Sequence, residues 1–155
     1  LVIGRKEIEI IELAALFHDI GKIGISDFIL QKAGRLTDEE YAIVKIHSEI
    51  GSKILGCFPS FHQEQIIVRH HHENYDGSGY PDGLKGKHIP MGARILTIVD
   101  AYDIMTSQQP YHIPFTYTQA VDEIKKCSGY QFDPELTAVF LEIMGGKKCP
   151  IRSHR

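Results

Sequence analysis

Apolar positions along this chain recur at helical spacing. In residues 7–20, EIEIIELAALFHDI, the side chains of Ile11, Ala14, Ala15 and His18 share one face, and Gly21 predicts the stop. Thr37 followed by Glu40 has the form of a capping box, and the helix it opens aligns Ile43, His47, Ile50 and Ile54. A third helix is expected over roughly 60–72, after which Gly77, Gly79, Pro81, Gly83 and Gly86 enforce a loop. PMGARILTIVDAYDIMTS, 90–107, predicts a long helix with Ala93, Leu96, Asp100 and Ile104 in register. Two more follow near 118–128 and 133–144, the last with Asp133 as N-cap, Pro134 in first position and Gly145 as stop. No segment sustains a period of two. The expected fold is all-α, a bundle of about six helices with one long loop, over residues 1–146. Residues 147–155 are read as a loose tail.

Composition narrows the function classes. The 155 residues are 43% apolar and 24% charged, which suits one domain with one core. A formal charge of −3 supplies no basic field for a nucleic-acid polymer or an anionic membrane, so a charged substrate has to be met locally. Cys57, Cys127 and Cys149 are odd in number and far apart, which argues against a disulfide framework and against a thiolate zinc site. A reducing cytoplasm is the expectation. No apolar run approaches the roughly 20 residues of a membrane span, and no signal-peptide core opens the chain. Leu1 rather than Met stands first, so a longer protein is expected.

The helical faces carry a chemistry of their own. His18 with Asp19, His47, His71 with His72, and Asp100 come from four separate helices, each pointed inward. One polar residue on an apolar face is usually a satisfied core residue; for a whole set, burial of carboxylates beside imidazoles is best accounted for by a shared cation. Imidazole with carboxylate and no thiolate suits iron, manganese, nickel, cobalt or zinc. Six ligands exceed the needs of one tetrahedral ion, so two ions with a bridging aspartate and a shared hydroxide are expected. Neighbours on a helix diverge by about 100°, so His71 and His72 converge only where their helix ends. The loop HHHENYDGSGYPDG, 70–83, ends it; His70 is expected to point elsewhere. Lys22, four residues after His18, either complements the end of the first helix or neutralises a phosphate, and the second role is preferred beside metal.

HDIGKIGI at 18–25 together with HHENYDGSGYP at 71–81 resembles the HD-GYP family of the HD phosphohydrolase superfamily, as do KIHSEIG at 45–51, IPMGARILTIVDAYDIMTS at 89–107 and FDPEL at 132–136. The resemblance implies an HD-domain helical bundle that hydrolyses cyclic di-GMP to pGpG, and in some members onward to GMP. Its centre holds two or three divalent metal ions, iron first, with manganese or nickel as alternatives. It implies His18, Asp19, His47, His71, His72 and Asp100 as metal ligands, Asp19 bridging and catalytic, and Lys22 on the scissile phosphate. It makes Gly79, Tyr80 and Pro81 the signature loop, used for substrate shaping and for contact with diguanylate cyclase (GGDEF) domains; a homodimer is left open.

Two departures from the family pattern matter. Residues 1–17 contain no histidine, whereas the family takes a further ligand from a helix upstream, so that helix is expected to be missing and the metal served by His18 and Asp100 to be under-coordinated. In SQQPYHI, 107–113, Gln109 and His112 stand where the family frequently has basic residues that hold the dinucleotide, which bears on affinity and on the choice of cyclic dinucleotide. The leading expectation is a metal-dependent phosphodiesterase. The alternative is a signalling module that binds a cyclic dinucleotide or a cyclase partner without turnover.

Overall fold

The computed structural model describes residues 3–108 and 113–145. They form α1 (Arg5–Phe17), α2 (Asp27–Leu30), α3 (Asp38–Lys45), α4 (His47–Gly56), α5 (His62–His70), α6 (Met91–Thr106), α7 (Tyr117–Lys126) and α8 (Pro134–Gly145), with 3-10 turns at Ile20–Gly24, Pro59–Phe61 and Gly86–His88. No strand forms among the described residues, in line with the all-α expectation; Ser128 and Phe132 make one isolated bridge. No described helix is long and apolar enough to cross a membrane.

Two apolar clusters share α6. Ala14 of α1, Leu55 of α4, Ile67 and Val68 of α5, and Ala93 and Leu96 of α6 close the first, with Ile89 from the loop before α6. Ile98, Ile124 of α7, Leu136 of α8 and Phe132 close the second. One helix thus has two buried sides, which is why its sequence is apolar nearly all round.

Several elements differ from the sequence expectation. The first helix stops at Phe17, not 20: His18 is its C-cap, and Asp19 leaves the helical region at φ −96°, ψ 3°. Gly21 is therefore not a stop. It is a contact point, since a Cβ there would lie 1.9 Å from the His47 carbonyl oxygen and 2.5 Å from the Gly51 amide nitrogen. Only glycine lets the turn after α1 lie against α4.

The capping box forms as expected, Thr37 Oγ1 accepting from the Glu40 amide at 3.2 Å and Glu40 Oε2 from the Thr37 amide at 2.7 Å. The helix it opens ends at Lys45, however, and Ile46 joins it to a separate α4. The expected stripe is broken there: Ile43 is 41% exposed, while α4 buries His47, Ser48, Gly51, Ser52 and Leu55. The helix expected over 60–72 resolves into a 3-10 turn and α5, which ends at His70. In α6, Ala93 and Leu96 are buried as expected but Ile104 is 50% exposed. Asp133 Oδ1 caps α8, accepting from the amides of Glu135 at 2.8 Å and Leu136 at 3.4 Å, and Gly145 is the helix's last residue. The short α2, capped by Ser26 Oγ, was not anticipated. The tail 147–155 lies outside the described residues.

Candidate active site

Three helix ends and one helix face meet at a single point. His18 follows the end of α1, His47 begins α4, His71 and His72 follow α5, and Asp100 lies on α6. Nδ1 of His18 lies 2.7 Å from the Ala15 carbonyl oxygen, that of His47 2.7 Å from Val44, and that of His71 2.7 Å from Val68. A carbonyl oxygen only accepts, so each Nδ1 carries the proton and the neutral ring presents a lone pair at Nε2. His47 and His71 are 2% and 1% exposed. Burial, the largest influence, pushes the His71 imidazolium down to about 4 and that of His72 to about 2, and both are neutral near pH 7.

Those lone pairs face one another. Nε2 of His47 lies 3.4 Å from Nε2 of His71 and 3.2 Å from Nε2 of His72. With the protons of His47 and His71 committed at Nδ1, the 3.4 Å approach brings two acceptors together with no hydrogen between them. Ligand atoms of all three residues lie within 4.8 Å of one another. A divalent cation satisfies this donor set, and nitrogen with nearby carboxylate selects a transition metal over calcium.

The carboxylates complete the ring of donors. His18 Nε2 stands 3.5 Å from Asp100 Oδ1 and 3.5 Å from Asp19 Oδ2, and His47 Nε2 is 3.7 Å from Asp19 Oδ1. The Asp100 carboxylate raises the His18 imidazolium above its ordinary range, more than burial lowers it. Burial alone would raise the Asp19 carboxyl, but the hydrogen bond from Lys22, with the charges of His18 and Lys22, holds it below the usual carboxylate range. Lys22 Nζ is 2.6 Å from Asp19 Oδ2. All six expected ligand residues and Lys22 therefore come together. His70 points away, as expected: its Nε2 is 2.9 Å from Asp82 Oδ2.

The loop after α5 is built onto the cluster. A Cβ on Gly79 would lie 2.2 Å from the Asn74 amide nitrogen and 2.5 Å from the His72 carbonyl oxygen, so glycine is required for this approach. The Tyr80 amide donates to that same carbonyl at 3.2 Å, which lays the Tyr80 ring over His72 at 4.9 Å between centroids. Glu73, 1% exposed, accepts from the Asp82 amide at 2.8 Å and the Leu84 amide at 3.1 Å. Arg69 grips the Asp82 carboxylate with two 2.8 Å hydrogen bonds. Pro81 thus sits between two anchored residues.

A cavity of about 500 Å³ opens beside the imidazoles, lined by Lys22, Tyr41, Lys45, His47, His72 and Tyr80 among others. A second, of about 320 Å³, lies against His71, His72 and Asp100. Sequence reasoning missed Glu73, Lys45 and Thr97. Thr97, whose Oγ1 is 2.8 Å from the His71 carbonyl oxygen, sits three residues before Asp100 and so on the same helical face, a signal that was available. Lys45 lies two residues before His47, and Glu73 directly follows the histidine run; spacing alone gave neither a role. Gln109 and His112 lie outside the described residues.

A helical domain whose helix ends gather imidazoles and carboxylates into one cluster belongs to the class of α-helical domains with a candidate metal site. Residues 5–136 match the family model for the HD domain, and the chain belongs to that family, in its HD-GYP branch. It is 44% identical over 135 residues to a cyclic di-GMP phosphodiesterase of Thermotoga maritima, covering 86% of this chain and 37% of that protein. It is 42% identical over 143 residues to a cyclic di-GMP phosphodiesterase response regulator of Xanthomonas campestris, covering 91% and 38%. The crystal structure of a cyclic GMP-AMP specific phosphodiesterase of Vibrio cholerae superposes with a TM-score of 0.65 at 20% identity, over 93% of this chain and 40% of that one, which shows a common fold. The chain thus spans well under half the length of the relatives it matches.

Proposed function

We propose that this domain is a metal-dependent phosphodiesterase that opens cyclic di-GMP to linear pGpG. The observation that carries the reading is the cluster itself: paired Nε2 atoms at 3.4 Å and 3.2 Å, bracketed by Asp19 and Asp100, in the wall of a cavity that also holds Lys22. His18, Asp19, His47, His71, His72 and Asp100 would hold two divalent ions. Bound divalent metal supplies hydroxide near neutral pH and draws charge from phosphoryl oxygens.

The chain's own residues do the rest. Lys22 is held by Asp19 through one N–H, and an ammonium has three, so two remain for a phosphoryl oxygen that gains charge as the bond to phosphorus breaks. Tyr80, packed against His72, forms one wall of the cavity. Gly79 lets the loop lie against the backbone of residues 72–74, which keeps Tyr80 over His72 at the cavity wall. Iron is the first expectation for the metal, manganese or nickel the next, and the loop is also the surface offered to a diguanylate cyclase domain. A cytoplasmic setting suits a cyclic dinucleotide messenger.

The test is chromatographic. Protein prepared without chelators is loaded with iron(II), manganese or nickel and incubated with cyclic di-GMP, with cyclic GMP-AMP alongside because the solved relative is named for it. Linear pGpG is expected from cyclic di-GMP. Tight binding of intact ligand with all three metals and no linear product would instead identify a sensor module.

A further inference from the structure

Lys45 is the cation in this cavity that the metal chemistry does not use. It sits in the last turn of α3 with its Nζ 4.7 Å from the centroid of the Tyr41 ring and 5.3 Å from that of Tyr80. Both spacings lie within cation–π reach. The ammonium is therefore held between two aromatic walls and has no carboxylate within 4.0 Å among the described residues. Lys22, the other lysine lining the cavity, is already engaged by Asp19 at 2.6 Å. The two cations thus differ: one is paired at the histidine cluster, the other is aimed into open space without an anion.

Tyr80 sets the spacing between them and the site. One ring touches both His72, at 4.9 Å between centroids, and the Lys45 ammonium, at 5.3 Å, so a single aromatic residue separates Lys45 from the imidazoles. Tyr80 is itself fixed by its amide bond to the His72 carbonyl oxygen. The Lys45 ammonium thus lies within about 10 Å of the His72 ring, and a ligand with one anionic group at the cluster and a second within that reach matches this layout. A cyclic dinucleotide has two phosphodiesters facing each other across its macrocycle, one cleaved and one spectator.

We infer that Lys45, held between Tyr41 and Tyr80, binds the phosphodiester that is not cleaved, and so selects cyclic dinucleotides over substrates with a single phosphodiester. The inference rests on the phosphodiesterase reading above and adds a specificity-determining residue to it. A lysine in a last helical turn also interacts favourably with the helix terminus, but that role needs neither the cavity nor the tyrosines and is independent of substrate.

The discriminating measurement compares two substrates on metal-loaded protein: cyclic di-GMP, with two phosphodiesters, and bis(p-nitrophenyl) phosphate, with one. For Lys45→Met, the ratio of kcat/KM for cyclic di-GMP to that for the aryl diester is expected to fall about tenfold or more, as for loss of a charged hydrogen bond, and mostly through KM. Lys45→Arg should restore much of that ratio. An unchanged ratio, whether both rates drop together or neither drops, overturns the assignment. Equilibrium binding of cyclic di-GMP to chelator-treated protein gives an answer even if wild-type protein turns over neither substrate, an outcome that would reject the phosphodiesterase reading alone. Weaker binding by Lys45→Met of about fivefold or more then supports the Lys45 contact, and equal binding overturns it.

Discussion

Glu73 shows how a residue outside the chemistry controls it. Its buried carboxylate is the acceptor for two backbone amides of the signature loop, those of Asp82 and Leu84, and a buried donor left without a partner costs about 1–3 kcal/mol. Glu73→Ala is therefore expected to loosen residues 77–84, seen as faster amide hydrogen exchange there, and to lower kcat/KM because Tyr80 loses its support; exchange unchanged in that stretch would refute it. Asp82 adds a pH signature. The two hydrogen bonds from Arg69, with a smaller contribution from His70, hold its carboxyl down to about 2, against about 3.9 in an unfolded chain. A carboxyl depressed by folding stabilises fully above its unfolded pKa and loses that contribution as pH falls through the folded value. The stability advantage of wild type over Asp82→Asn should be steady above about pH 5 and shrink between about pH 4 and pH 2, read from urea midpoints at each pH. The half-exposed setting of this pair keeps the effect modest.

At the scale of elements, glycine and helix breaks decide where the ligands go. Periodicity located α1, α6, α7 and α8 because each carries apolar residues at helical spacing, and α8 its cap as well; it ran α3 and α4 together because Ile46 is neither glycine nor proline. That break is set by tertiary packing: α4 must begin where His47 can turn inward and where the turn at 20–24 lies against it. The site residues were legible for a related reason, since burying imidazoles and carboxylates together is unfavourable without a shared cation. Lys45 was not legible, because its significance depends on two tyrosines, one of them 35 residues further along the chain in a loop that no periodicity describes. Gly21→Ala tests the packing argument. Its Cβ would collide with backbone rather than with a flexible side chain, so the turn carrying Asp19 and Lys22 has to move off α4. The expected result is destabilisation at the upper end of overpacking, about 3 kcal/mol, together with loss of bound metal. Full metal occupancy with an unchanged melting temperature would show that the close approach is not required.

For the whole molecule, the central question is why the bundle tolerates a polar cluster between two apolar cores. Its first core fixes α1, α4, α5 and α6, and their packing brings the ligand-bearing helix termini together. Converging lone pairs and partly desolvated carboxylates are costly without a shared cation, and a metal ion that binds the native state alone would relieve that cost. Mass action then gives about 2.7 kcal/mol at a free metal concentration one hundred times Kd, or roughly 5–10 °C in melting temperature for a domain of this size. His72→Ala separates this effect from ordinary packing. His72 lines the cavities on both sides of the cluster, so its loss opens little sealed void, while it removes a ligand and relieves a 3.2 Å contact between nitrogens. The metal-free variant should melt within a few degrees of metal-free wild type, yet keep less than half of the manganese-induced shift, measured by calorimetry with and without chelator. A variant that loses stability equally in both conditions would mean that His72 serves the core, not the cation.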